Sequence, residues 1–348
     1  MKAGELSVAV VVLNWNGRHH LADYLPSVLE HSGGARVIVA DNGSHDDSEA
    51  VVGALGAEWL ALPQNFGFAG GYNRALEQIE ADVYVLLNSD VRVTAGWLLA
   101  PLRRLREDSG AGAVQPKVLA DERPREFEYA GACGGFMDRL GYPYCRGRVF
   151  ETVERDRGQY DHAVRCDWAT GAACFVRAAA WREVGGFDDR FFAHMEEIDL
   201  CWRLRRAGYA IWCEPASVVY HLGGGTLAYS SPTKVYLNFR NSLSMLLKNG
   251  GGPAATLARL VPRLLLDGVA GLRFLAQGNR SALWAVVRAH GAFYRSAADS
   301  WRRRGESRVS PAVAVDGTRP LSIVAEYYLR GRRRFAELPA HGRAVVED

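Results

Sequence analysis

The 348-residue chain has six cysteines, at 133, 145, 166, 174, 201 and 213, and none of them forms a CxxC pair. A thiolate zinc cage is therefore not expected; Cys174, Cys201 and Cys213 sit among apolar neighbours and read as small core residues. No run of eighteen uncharged apolar residues occurs, so no bilayer span is expected. The first apolar stretch, Val8 to Leu13, is too short for a secretory leader and leads straight into Asn14-Trp15-Asn16. These absences point to the reducing cytoplasm. Lysine is missing from the rear. Residues 1–250 carry 26 Lys+Arg against 31 Asp+Glu, a balance of −5, whereas residues 251–348 carry 16 against 8, a balance of +8, all 16 being arginine. Such a rear suits an anionic partner. Its arginines lack interleaved stacking aromatics on a sheet, which argues against nucleic acid and for the inner face of the plasma membrane. With 48% hydrophobic and 23% charged residues the composition is globular, not disordered.

What is present in the first 120 residues is an alternation of strand and helix patterns. "SVAVVVLNW", "ARVIVADNGS", "AEWLALP", "DVYVLLNSD" and "GAVQPKVL" are solid apolar runs of buried-strand length. Amphipathic stretches at about 20–31, 46–55 and 69–79 separate them. Solid strands between helices predict an α/β fold with a mostly parallel central sheet covered on both faces. Ligands bind beyond the carboxyl ends of such strands. Those ends carry Asn14-Trp15-Asn16, Asp41-Asn42-Gly43-Ser44 and Asn88-Ser89-Asp90, three polar clusters on one edge. Residues 121–165, rich in Gly, Arg and Tyr, show no assignable pattern. "AACFVR" reads as a strand, "AAAWREVGG" as a short helix ending in glycine, and "AIWCEPASVVYHLGGGT" as one or two strands running into a glycine loop. Beyond Pro232 the chain reads as all-helical. Gly250-Gly251-Gly252-Pro253 marks the boundary between a catalytic domain over 1–250, with halves 1–120 and 121–250, and a helical extension over 251–348.

Four places could carry chemistry. Asp90 is either a turn residue capping the next helix or a hard-cation ligand, since Mg²⁺ takes one or two carboxylates and completes its shell with water and phosphate. His221 closes the strand "SVVYH" beside Gly223-Gly224-Gly225 and can ligate a divalent metal. Glu196, Glu197 and Asp199 open a helix that emerges from Phe191-Phe192-Ala193-His194-Met195. Glu196, Asp199 and Arg203 share one of its faces. Acids there suit the helix dipole, and a carboxylate leaving apolar surroundings can also be tuned as a general base. "NFGFAGGYNRAL", residues 65–76, opens a helix but lacks GxGxxG spacing and a Walker lysine, so neither a dinucleotide nor a P-loop site is supported. On the helix from about Ser281 to Arg304, Arg288, Arg295 and Arg302 form one stripe. Leu283, Val287, His290, Tyr294, Ala297 and Trp301 form an opposite, largely apolar face. This pattern fits a docked helix with a solvated side, or an amphipathic helix lying on anionic lipid.

Six stretches in this order resemble the inverting, nucleotide-sugar-dependent glycosyltransferases of family 2, which have the GT-A fold: "VVVLNWNG", "VIVADNGSHDDS", "LPQNFGFAGGYNRAL", "VLLNSDV", "GAACFVRAAAWREVGGFDDRFFAHMEEIDLCWRLRRAGY" and "VVYHLGGGT". The likeness runs from residue 7 to about 248 and is greatest to bacterial rhamnosyltransferases of surface and cell-wall polysaccharide synthesis. It implies that Asp41 bonds the nucleobase, that Asn14 and Asn16 line the same pocket, and that Asn65, Gly70 and Asn73 border the nucleotide. Asn88-Ser89-Asp90 stands at the family's Asp-x-Asp position. Asn replaces the first acid, so Asp90, with His221, would hold a divalent cation, Mg²⁺ or Mn²⁺. Residues 196–199, "EEID", match the family's Glu-Asp-x-Asp; Glu197 takes the place of the usual base, and both Glu196 and Glu197 stand as candidates. Trp168 and Gly171 would lie near the sugar, with Asp199 and Arg240 on the sugar or acceptor side.

The implied reaction is inverting transfer from a dTDP- or UDP-sugar to a glycan or polyprenyl-linked acceptor, with dTDP-rhamnose the first choice of donor. The alternatives are a UDP-hexose or UDP-galactofuranose donor, or a non-catalytic nucleotide-binding module. A nucleotidyltransferase would carry a glycine-rich basic loop after the first strand, where this chain has "NWNGRHH".

Overall fold

Six successive apolar residues, Val8 to Leu13, make β1 (Val8–Asn14), which is buried along nearly its whole length. In the computed structural model, which describes residues 6–223, 231–304 and 319–339, this strand lies inside a nine-stranded sheet. After α1 (Arg18–His31) and α2 (Ser48–Leu55), strands β2 (Arg36–Asp41) and β3 (Glu58–Ala61) add in parallel on one side. Helix α3 (Gly67–Leu76) leads to β4 (Val83–Asn88), parallel on the other side. Asn14 stands opposite Asp41, and Leu13 opposite Asn88. The register thus delivers the three polar clusters to one edge.

Strand β5 (Val91–Val93), helix α4 (Leu99–Glu107) and β6 (Ala111–Ala120) follow. Residues 121–165, unassignable from their sequence, build a small antiparallel sheet of β7 (Gly135–Met137), β8 (Pro143–Cys145), β9 (Arg148–Val149) and β10 (Thr152–Val153). Strands of two or three residues are too short to print an alternation. The chain returns to the main sheet through β11 (Val164–Cys166) and β12 (Ala173–Arg177). Strand β12 enters from the carboxyl edge and therefore runs antiparallel between β4 and β6, which makes the sheet mixed. Asn88 N donates to Ala172 O at 3.0 Å, so Thr170-Gly171-Ala172 lies against the tip of β4.

After α5 (Ala178–Val184) and α6 (Glu196–Arg206), β13 (Ala210–His221) is one strand, bulged after Glu214. Pairing of β13 with β5 sets His221 opposite Val91, next to Asp90. From Gly224 onward the glycine loop lies outside the described residues.

Helices α7 (Pro232–Asn249), α8 (Pro253–Ala276) and α9 (Arg280–Arg302) follow as expected. Two expectations for the rear need correction. Residues 319–339 are not a regular helix: a π turn at Ala325–Leu329 and a 3-10 turn at Phe335–Glu337 lie over the small sheet, with Phe335 stacked near Phe136, Tyr144 and Tyr160. On α9 the buried side is Ala282, Ala285, Val286, Ala289 and Phe293, whereas Val287, Tyr294 and Trp301 face solvent. Alanines let α9 approach α7 closely, and close approach decides the contact more than bulk hydrophobicity does. All six cysteines are buried and free.

Candidate active site

At the nucleotide edge, Asn14 Nδ2 donates to Asp41 Oδ1 at 2.9 Å and to Ser44 Oγ at 3.2 Å, while Ser44 N donates to Asp41 Oδ2 at 2.9 Å. Asn16, in the left-handed region at φ 51°, accepts from His45 N at 2.8 Å, which ties the turn after β1 to the turn after β2. Asn14 Oδ1 is left buried without a partner and lines the cavity. Beside it, Asn42 accepts from Phe66 N and donates to Asn65 Oδ1 and Gly67 O, holding the entrance to α3.

Asp90 and His221 form the next group. His221 Nε2 lies 3.2 Å from Asp90 Oδ1, and its Nδ1 faces Glu128 Oε1 at 3.5 Å without a hydrogen bond. Burial opposes the imidazolium, yet the two carboxylates outweigh it and push His221 up to about 10. Burial likewise works against the Asp90 charge, but His221 holds it below the usual carboxylate range. Among the described residues no group of three or more His, Cys, Asp or Glu side chains is arranged to hold a metal. Asp90 and His221 can give a hard cation two ligands, the number such ions take when phosphate and water complete the shell. The charge of Asp90 and the adjoining His221 Nε2, 3.2 Å away, fit that use once the imidazole is neutral.

The same cavity is lined by Glu196 and Glu197 at the start of α6, each with a buried, unpartnered Oε2. Their approach loop is bent: Phe192, His194 and Met195 all have positive φ, at 63°, 69° and 74°. Gly67 makes room for it, since a Cβ there would lie 2.4 Å from the Phe192 ring and 2.7 Å from its carbonyl oxygen. The helix N-terminus favours ionised acids, but burial prevails. It raises Glu197 to about 7, and burial together with the Glu197 charge raises Glu196 well above the usual range. His194, with Nε2 unpartnered, is driven by burial down to about 4 and is neutral.

One cavity of about 1370 Å³ is lined by Asn14, Asn16, Asn65, Asn88, Ser89, Asp90, Trp168, Gly171, Glu196, Glu197 and His221. Trp168 is locked in its wall by an indole hydrogen bond to Phe136 O at 3.0 Å. A Cβ on Gly171 would lie 3.2 Å from the Phe68 ring and 3.8 Å from Glu197 Cβ, so a side chain there would press on the Phe68 ring beside Glu197.

Five expected site residues are not in that lining. Asp41 is engaged in the turn just described, and Gly70 is covered by Phe66 and Arg74. Asn73 bonds both the N–H and the carbonyl of Phe187. Asp199 is fully buried and bonded by Arg203, Lys248 and Asn249, which corrects the sugar-side expectation: it is a strut of α6. Arg240 donates to Arg190 O and Phe191 O at 3.0 Å each, so it braces the bent loop and is not poised for a phosphate. Sequence reasoning missed Glu128, Lys234 and His20. Glu128 lies in the unassignable stretch, whereas the neighbouring Asn14-Trp15-Asn16 could have pointed to His20, which lines the cavity.

A strand-edge pocket, an Asp–His pair and two glutamates with unpartnered oxygens thus line one cavity. The chain belongs to the family described as glycosyltransferase like family 2, whose model matches residues 5–241. Among curated proteins it is similar to the N-acetylglucosaminyl-diphospho-decaprenol L-rhamnosyltransferase of Mycobacterium tuberculosis, 26% identical over 259 residues, 67% of this chain and 84% of that one. Its fold is similar to GalNAc-T7 solved with UDP, GalNAc and Mn²⁺, with a TM-score of 0.54 at 14% identity over 71% of this chain and 48% of that one. It also resembles residues 1–349 of S. aureus TarS in complex with UDP-GlcNAc, with a TM-score of 0.51 at 16% identity over 86% and 91%.

Proposed function

We propose that the protein transfers L-rhamnose from dTDP-rhamnose, with inversion, to a hydroxyl of a polyprenyl-linked glycan at the cytoplasmic membrane face. One observation carries the transfer reading: the Asp90–His221 pair and the Glu196–Glu197 pair line the same cavity as the strand-edge asparagines. The choice of sugar and acceptor rests on likeness to the mycobacterial rhamnosyltransferase.

Asn14, Asn16 and Asn65 bind the nucleotide, and Asp41, Gly70 and Asn73 shape the turns around it. Asp90 and His221 would hold a divalent cation, Mg²⁺ or Mn²⁺; when bound it neutralises charge on the departing nucleoside diphosphate. To ligate, His221 must give up its Nε2 proton. Glu197 takes the proton of the acceptor hydroxyl as its oxygen bonds to C1 and the C1–phosphate electron pair leaves with the diphosphate. Glu197 fits the base better than Glu196, because its acidity near neutrality leaves a usable ionised fraction. Trp168 and Gly171 border the sugar.

The test is turnover of a panel of dTDP-, UDP- and GDP-sugars by the full chain with Mg²⁺ or Mn²⁺. Rhamnose release or transfer from dTDP-rhamnose is the expected result, lost by at least ~10²-fold in Asp90→Asn while the fold persists. Failure to turn over any sugar nucleotide would leave only a binding module.

A further inference from the structure

The cavity is larger than the roughly 300–1,000 Å³ of ordinary small-molecule clefts, and its far arm has a different character from the sheet edge. Leu266, Ala270 and Phe274 of α8 form one wall, Val324 and Ala325 another, and Phe150 a third. The buried cation in this arm is already matched: Arg263 bonds Asp267 and Ser242. Arg273 and Glu151 also line the cavity and pair with each other at 3.1 Å, with Arg273 donating to the Tyr328 hydroxyl as well, so these charges too are matched beside the apolar walls.

The arm has its own opening. Val269, Tyr328 and Leu329 line the cavity and are 61%, 45% and 83% exposed, so the cavity reaches the surface between α8 and the turn at Ala325–Leu329. That mouth lies on an unusual helix face. Leu257, Val261, Leu265, Val269, Leu272 and Leu275 recur along one side of α8, each 46–69% exposed and with no charged residue among them. The stripe runs for about 27 Å at the helical rise. Exposed Arg280, Arg288, Arg295 and Arg302 of α9, with exposed Trp284, lie on the neighbouring helix. An apolar helix face beside arginines and a tryptophan is complementary to an anionic lipid surface.

We propose that the apolar arm seats the hydrocarbon tail of the acceptor, a long isoprenoid or similar chain, and that the tail passes into it sideways from an anionic bilayer through the Val269–Leu329 mouth. The proposal deepens the transfer reading and rests on it for the meaning of the tail, though not for its binding. Each methylene taken from water into the arm adds to affinity, so tail length is the quantity to vary.

The experiment is equilibrium binding of radiolabelled geranylgeranyl phosphate and isopentenyl phosphate, below their micellar range, to the full chain. The longer tail should bind at least ~10-fold more tightly, and Ala270→Trp, which fills the arm, should erase most of that difference. Because a tryptophan there could unfold the chain, Val324→Phe from the opposite wall serves as a second variant. Equal binding of the two tails by the wild type would overturn the proposal, as would undiminished preference in both folded variants. A dimer that Leu265→Glu breaks, with no adherence to phosphatidylglycerol vesicles, would also overturn it by assigning the α8 face to a second copy. Tail preference without turnover of any sugar nucleotide would sink the transfer reading alone; turnover without tail preference would sink the seat alone.

Discussion

A glutamate in a cavity wall loses hydration on folding, and Glu197 is raised to about 7 for that reason, against backbone amides that favour its charge. A base must be ionised, so kcat/KM should rise with pH and level off above a midpoint near 7. Glu197→Gln should lose ~10²–10⁴-fold in transfer and keep donor binding, measured by acceptor kinetics and nucleotide titration. The same shift has a stability consequence. Between the ordinary carboxyl value of 4.5 and about 7 the folded state holds the proton more tightly than the unfolded chain. Stability from this group is therefore present at low pH and is lost as pH rises toward 7. Urea midpoints should show wild type losing ground to Glu197→Gln across that window. The acids themselves were legible as a pair at a helix start. Their protonation was not, because the reading followed the helix dipole, and burial is set by the loop, α3 and Gly171 packed around them.

At the level of elements, α6 is anchored by a buried charge cluster. Lys248 Nζ donates to Asp188 Oδ2 at 2.9 Å and to Asp199 Oδ2 at 2.8 Å, and Arg203 Nε donates to Asp199 Oδ2 at 2.8 Å. Burial works against these carboxylates, yet the cations around them hold Asp188 and Asp199 below the usual range. Removing one member leaves its partners buried and uncompensated. Lys248→Met should cost about 3–5 kcal/mol of stability, read by denaturant unfolding. Asn241 adds to this anchor through its amide, which donates to Phe191 O, Ala193 O and His194 O and so pins the bent loop ahead of Glu196. The Asp199–Arg203 pair could be read from its spacing on one helix. Lys248 and Asn249 could not, since they arrive from another helix.

For the whole molecule, the asymmetry of charge and the apolar stripe of α8 act together. Among the described residues no helix is long and apolar enough to cross a membrane. The proposed contact with a membrane surface rests on the exposed stripe of α8 and the neighbouring arginines. Sedimentation with phosphatidylglycerol-containing vesicles should deplete the wild type and weaken with salt, because exposed arginines are screened. The double variant Leu265→Glu, Leu272→Glu should reduce the bound fraction by at least ~10-fold, since charged carboxylates replace two exposed leucines of the stripe. Undiminished sedimentation of that variant would refute the α8 face. The sequence left α9 as either a docked helix or one lying on anionic lipid; in the fold the longer exposed apolar face is on α8.

Local pattern was enough for the strands that end in Asn14, Asp41 and Asn88, for the helix opened by Glu196, and for the helices through Arg302. In each of these, solid or periodic hydrophobicity within one element reports that it is covered. Folding in three dimensions had to supply the covering partner. It inserted β12 antiparallel beside β4, and it brought His221 to Asp90 through the pairing of β13 with β5. It also turned residues 121–165 into a second sheet and made struts of Asp199 and Arg240. A residue's type and spacing state what it can bond, but which distant group meets it depends on strand register and helix contact, and those are properties of the packed chain.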